Sequence, residues 1–244
     1  AAIFGSVHEG GHALYEQGSP EKFERTVLAG GATLGLHESQ SRLWENQVGR
    51  SLPFWAHYYP ILRAFFPEPL EGVSLNGFYR AINKVEPSFI RVEADEVTYN
   101  QHIFVRFELE KALVTGDLAV SDVPEAWNAK YEEYLGITPP DDALGCLQDI
   151  HWSHATIGYF PTYTLGNLMS AQIYGQAEKD LTGLTSEFAK GEFASLLDWL
   201  RERVHSHGAK FTAPELMERE FSQSLSAQPL LDYLRTKYTE IYDL

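Results

Sequence analysis

The pentapeptide His8-Glu9-Gly10-Gly11-His12 constrains this chain more than any other stretch. Two histidines four positions apart lie one above the other on an α-helix, so both imidazoles can reach a single ion. Glu9 stands beside the pair, at an angle from which its carboxylate reaches a metal-held water without ligating the metal. Zinc lowers the pKa of such a water towards neutrality, and the glutamate then takes its proton. The bland alternative is a helix with two surface histidines. Gly10 and Gly11 speak against it. Each costs about 1 kcal/mol of helix stability relative to alanine, and close approach of another segment or of a substrate would explain their presence.

A catalytic zinc needs a third protein ligand and an open position. A third histidine six residues beyond the second is one solution, but position 18 is Gly18. Another is a glutamate from a later helix. Within TLGLHESQSRLWENQVGR, Glu38 is the candidate, and Leu36, Leu43 and Val48 give that segment an apolar side. From spacing alone, Glu38 reads equally as a metal ligand or as a solvated helix glutamate.

Around this motif the 244-residue chain is helical in pattern. Leu196, Leu197, Leu200 and Val204 fall on one helical face, as do Leu231, Leu234, Tyr238 and Ile241. The stretch from Val92 to Val114 reads as one long helix ended by Gly116. Asp122 is placed as the N-cap of a further helix with Pro124 in its first turn. PEPLEG, GITPPDD and YFPTY are helix breaks, and TVLAGGATLGL is the one stretch with room for a short strand or hairpin. The expectation is a single all-α domain over residues 1–244, with few or no strands.

Composition narrows the partners. The formal net charge of −15 would repel phosphates, so nucleic acid is not expected. The same acidity favours solubility, and it would draw in cationic ligands such as basic peptides or metal ions. The sequence has no apolar run of about 18 residues, so no membrane span is expected. The first residues, AAIFGSVHEGG, lack the basic flank and apolar stretch of a signal peptide. Cys146 is the single cysteine, which leaves no internal disulfide and points to a reducing cytoplasmic setting. A catalytic helix needs walls, and HExxH begins at the eighth residue, so the chain is expected to be the C-terminal part of something longer.

HEGGHALYEQG followed by HESQSRLWENQVGRS resembles the carboxypeptidase Taq family of metallocarboxypeptidases. The resemblance extends to an I/V-R-x-x-A-D motif at Ile90–Asp95 and a G-x-x-Q-D-x-H-W motif at Gly145–Trp152. The four motifs stand in the family's order. The resemblance implies that Glu38 is the third zinc ligand beside His8 and His12. It also implies a mostly helical fold with a deep central groove, homodimers, and removal of C-terminal residues from peptides with broad specificity. Members of that family are longer, and two motifs that precede HExxH in them, HPF and D-x-R-x-T, do not occur here.

A carboxypeptidase must recognise a free C-terminal carboxylate, for which a bidentate arginine is the natural device. Arg91 is the candidate; the alternative is a salt bridge to Glu93, Asp95 or another acid. Asp95 and Glu96 could back a ligating histidine or simply favour a helix N-terminus. Gln148, Asp149 and His151 fall close together, with His151 a candidate oxyanion donor and Gln148 and Asp149 either substrate-binding or part of a buried polar network. Tyr159 and Tyr163 are further oxyanion or substrate candidates, with groove lining or core as the alternative. Trp44, Trp152 and His154 read as structural. The activity so inferred is a zinc-dependent carboxypeptidase, with cobalt as an alternative ion. Two other readings are a metal-binding piece that is catalytically incomplete without an N-terminal half, and a zinc aminopeptidase or endopeptidase.

Overall fold

Short polar side chains start many of the helices, and glycines or backbone turns end them. The computed structural model describes residues 2–244. Among these, every regular element is helical: α1 (Ala2–Gln17), α2 (Leu34–Arg42), α3 (Leu52–Phe65), α4 (Leu75–Ile82), α5 (Tyr99–Thr115), α6 (Val123–Leu135), α7 (Pro161–Asp180), α8 (Leu184–Phe188), α9 (Ala194–Arg203), α10 (Ala213–Phe221) and α11 (Gln228–Tyr242). The all-α expectation holds. No helix among the described residues is long and apolar enough to cross a membrane.

The chain divides into two compact units. The first comprises the stretch up to Asn83 together with Leu165–Leu244. Its core gathers Leu36, Leu43, Ile173, Leu196, Leu200 and Val204, each 1% exposed or less. The apolar sides read for the second and ninth helices are therefore the buried ones. Thr33, Ser51 and Ser74 cap α2, α3 and α4 by accepting from the N–H groups of Leu36, Phe54 and Gly77. The TVLAGGATLGL stretch forms turns leading into α2 and makes no strand, because Thr33 opens a helix in the middle of it. In α11 the buried stripe runs through Leu230, Tyr238 and Ile241, while Leu231 is half exposed.

The second unit is Lys84–Thr164. Helices α5 and α6 pack together through Val105, Leu109, Trp127 and Tyr131. The long helix expected from Val92 begins only at Tyr99. Asp95 is the reason: its Oδ1 accepts from the N–H groups of Val97 and Thr98, and its Oδ2 accepts from the Thr98 hydroxyl. These local bonds compete with the helical ladder and leave residues 91–93 as a separate tight turn. The helix ends as expected, with Gly116 in the left-handed region at φ 81°. Asp122 does precede α6, but its side chain makes no capping bond there.

Candidate metal centre

Helix α1 carries His8 and His12 on one face, and α2 lies directly against it. The contact is close because Gly11 has no side chain. A Cβ there would lie 2.7 Å from Ser41 Cα and 2.8 Å from the Gln40 carbonyl oxygen. Gly10 faces open space, with nothing within 4 Å of a Cβ. The two glycines therefore predict opposite outcomes. Gly10→Ala should raise stability by about 1 kcal/mol, the ordinary helix gain. Gly11→Ala should lower it by about 1–3 kcal/mol, since backbone must shift. Thermal unfolding of the two variants checks the sign.

Close packing of α1 on α2 brings Glu38 under the histidines. The Glu38 Oε2 atom is 3.6 Å from His8 Nε2 and 3.5 Å from His12 Nε2. All three candidate ligand atoms lie within 4.8 Å of one another. A tetrahedral zinc with bonds of about 2.0–2.1 Å holds its ligand atoms about 3.3–3.4 Å apart, so small side-chain shifts would seat the ion. Glu38 is only 5% exposed, and its other oxygen, Oε1, accepts from Arg42 Nε at 2.7 Å. On α7, Gly166 leaves room for this glutamate: a Cβ there would lie 2.5 Å from Glu38 Cγ. Burial pushes the Glu38 carboxyl up, but its polar contact with His12 and the Arg42 guanidinium outweigh it and hold the group below the ordinary glutamate range.

The other ring nitrogens decide which way the lone pairs face. His8 Nδ1 is 3.0 Å from Glu45 Oε2. A carboxylate only accepts, so this nitrogen donates, and neutral His8 keeps its lone pair on Nε2. His37 Nε2 is 2.8 Å from Glu16 Oε1 and likewise donates. Neutral His37 therefore accepts at Nδ1, where His12 Nδ1 stands 2.5 Å away. His12 then also keeps its lone pair on Nε2. Two proton-free nitrogens and one carboxylate oxygen converge, a donor set suited to a divalent cation.

Glu45 reaches His8 from a wide π-turn, Leu43–Val48, that continues α2. Such turns shift the phase of a helix and recur at functional sites. Burial pushes the Glu45 carboxyl up, yet the His8 hydrogen bond and the guanidinium groups of Arg42 and Arg50 pull it down to about 2. Arg50 is held in place by the Ile82 carbonyl at 2.7 Å and by the Phe4 ring, 3.9 Å from its guanidinium carbon. Glu9 is exposed and has no hydrogen-bond or ion-pair partner among the described residues, as an acid–base group awaiting substrate would be. His37, Glu45, Arg42 and Glu16 did not stand out in the sequence. All four lie inside the segments that carry the family resemblance, but none was singled out there.

The remaining candidates all fall in the second unit, where Arg91, Gln148 and Asp149 share a network with Arg106. Arg91 is 5% exposed. It bonds Asp149 Oδ1 through Nε at 3.0 Å and Nη2 at 2.7 Å, and Tyr99 through Nη1 at 2.9 Å. The edge that a bidentate substrate carboxylate would take is thus held by an internal acid. Fully buried Arg106 donates to Asp149 Oδ2 at 2.6 Å and to Gln148 Oε1 at 2.8 Å. Gln148 also accepts from the Arg91 backbone N–H and donates to the Phe89 carbonyl. Burial pushes the Asp149 carboxyl up, but the two guanidinium groups hold it below the usual range. His151 Nε2 is 3.1 Å from the Tyr163 hydroxyl, so an outside oxyanion would have to displace that bond. Burial and then the Arg91 charge press His151 towards its neutral form. Tyr159 packs against both, at 5.3 Å from the His151 ring and 5.5 Å from Tyr163. Asp95 is spent on its turn, Trp152 donates to Glu110, and His154 is exposed.

Comparison with known proteins places this arrangement. A sequence model described as carboxypeptidase Taq (M32) metallopeptidase matches residues 1–238. Thermostable carboxypeptidase 1 of Thermus thermophilus is 53% identical over 242 residues, which are 99% of this chain and 47% of that protein. The crystal structure of the M32 carboxypeptidase from Deinococcus radiodurans R1 superposes with a TM-score of 0.96 at 51% identity, covering 100% of this chain and 49% of that one. Metallocarboxypeptidase 1 of Trypanosoma cruzi superposes at 0.92 with 34% identity, covering 97% of this chain and 50% of that one. The chain spans about half the length of the curated relatives it matches.

Proposed function

This chain belongs to the carboxypeptidase Taq (M32) metallopeptidase family, and on that premise we propose that it works in zinc-dependent removal of C-terminal residues from peptides. The observation that carries the reading is the convergence of His8 Nε2, His12 Nε2 and Glu38 Oε2, each with its partner atom held from behind. A divalent cation bound by these three would polarise a peptide carbonyl and make a water acidic. Glu9 accepts a proton from the attacking water. The water's oxygen adds to the carbonyl carbon, the C–N bond breaks, and Glu9 returns the proton to the leaving amine. Glu38 and the two histidines keep their lone pairs aimed inward throughout, because Arg42, Glu45 and His37 fix their outer atoms.

The test combines metal analysis with hydrolysis of an N-blocked dipeptide. Release of the C-terminal residue supports the reading; equal cleavage of the matching C-terminal amide would instead indicate an endopeptidase. Glu38→Ala should reduce bound zinc from about one ion per chain to near none, since two histidines alone make an incomplete site. Stoichiometric zinc in that variant would place the third ligand elsewhere. A homodimer belongs to the same reading, and sedimentation of the purified chain tests it.

A further inference from the structure

His8 is backed by a carboxylate directly, whereas His12 meets a second imidazole first. His37 lies on α2 with its ring centroid 4.6 Å from that of His12, tilted by 44°. Glu16 sits four residues after His12 on α1, hence on the same face, and its Oε1 takes the far nitrogen of His37. Glu16 and His37 are locked by the Gly30–Gly31 turn. The Gly31 N–H donates to Glu16 Oε1 at 3.2 Å. A Cβ on Gly31 would lie 2.6 Å from the Tyr15 ring and 2.9 Å from His37 Cδ2, and one on Gly30, at φ +78°, 2.8 Å from Glu16 Oε2. The glycine pair inside the TVLAGGATLGL stretch is the seat for this pair of side chains.

We propose that His37 is a positioning residue for the metal centre, relaying the negative charge of Glu16 to His12 so that Nε2 of His12 carries the lone pair and donates more strongly. This rests on the assignment of His8, His12 and Glu38 as ligands. Hydrogen bonds behind a ligating histidine orient its ring and raise its basicity, and removing such a partner costs about 10–100-fold in metal affinity. The relay differs from the His8–Glu45 contact in ending at the surface, since the Glu16 side chain is 49% exposed. A change at Glu16 therefore acts on the site without disturbing the core.

Zinc affinity of the whole chain, measured by competition with a chromophoric chelator, tests the proposal. His37→Phe keeps the ring but can neither accept nor donate, and should weaken zinc binding by about 10–100-fold while the metal-free protein melts as wild type. His37→Gln offers a carbonyl to His12 and an amide N–H to Glu16, and should recover part of the loss. Glu16→Gln should weaken zinc several-fold, and nitrogen NMR of the zinc-loaded protein should find His12 protonated at Nδ1 and His37 at Nε2. If His12→Ala releases zinc but His37→Phe and Glu16→Gln both bind within about twofold of wild type, the relay is overturned and the ligand assignment stands. Should His37→Gln bind no more tightly than His37→Phe, the bonded chain is likewise overturned. Wild-type zinc affinity in His12→Ala would instead overturn the ligand assignment itself.

Discussion

Replacing Glu9 by glutamine should lower peptide turnover by about 10²–10⁴-fold, the usual worth of a general acid–base group, while zinc stays bound. The two halves of this expectation come from different observations. Glu9 follows His8 directly on α1 yet is absent from the converging donor set, so its loss removes no ligand. It is exposed and makes no bond to the groups that fix the histidines. Glutamine keeps the shape and a hydrogen-bonding oxygen but cannot shuttle a proton at neutral pH. Steady-state kinetics on an N-blocked dipeptide, paired with metal analysis of the same sample, checks both halves. Turnover within a few-fold of wild type would move the acid–base role to another residue.

Asp149→Ala should cost about 3–5 kcal/mol of stability, the penalty for stranding buried charge. Asp149 is shared by Arg91 and Arg106, so its removal leaves two buried guanidinium groups facing each other without an anion. Arg106 has no exposed surface through which water could enter. Melting of the variant measures the loss. The same pair sets a pH dependence. The folded carboxyl of Asp149 is depressed, so its stabilisation is complete above the ordinary aspartate range and is lost as pH falls through its lower folded value. Glu45, held at about 2, behaves alike, with its contribution lost only as pH falls from the ordinary glutamate range towards 2. Asp149→Ala should therefore flatten the acid limb of the stability curve.

The sequence made the centre legible because a helix turns spacing into geometry: positions 8 and 12 share a face whatever else surrounds them. The joining of Glu38 to that face needed a family resemblance, since nothing in 25 intervening residues states how α2 meets α1. What stayed hidden was the shell behind the ligands. Glu45 reaches His8 only through the wide turn after α2, and His37 reaches His12 only because Gly11 lets the two helices touch. The Arg91–Asp149 pair was invisible for a similar reason: the partners stand 58 positions apart. Both motifs were read, but which residue of one would face which residue of the other is a matter of packing. The late start of α5 was a local competition that favoured the Asp95 side chain over the helical ladder.

The bond from Arg42 to Glu38 reaches beyond orientation. A free carboxylate can grip a cation with both oxygens, and large, hard ions such as calcium exploit that by gathering six to eight oxygen donors. With Oε1 turned to a guanidinium, Glu38 offers Oε2 to the site. Two imidazoles and one carboxylate oxygen fall short of such an oxygen-rich cage and would suit an ion content with low coordination. The arginine would thereby bear on which metal the site favours, without being one of its ligands.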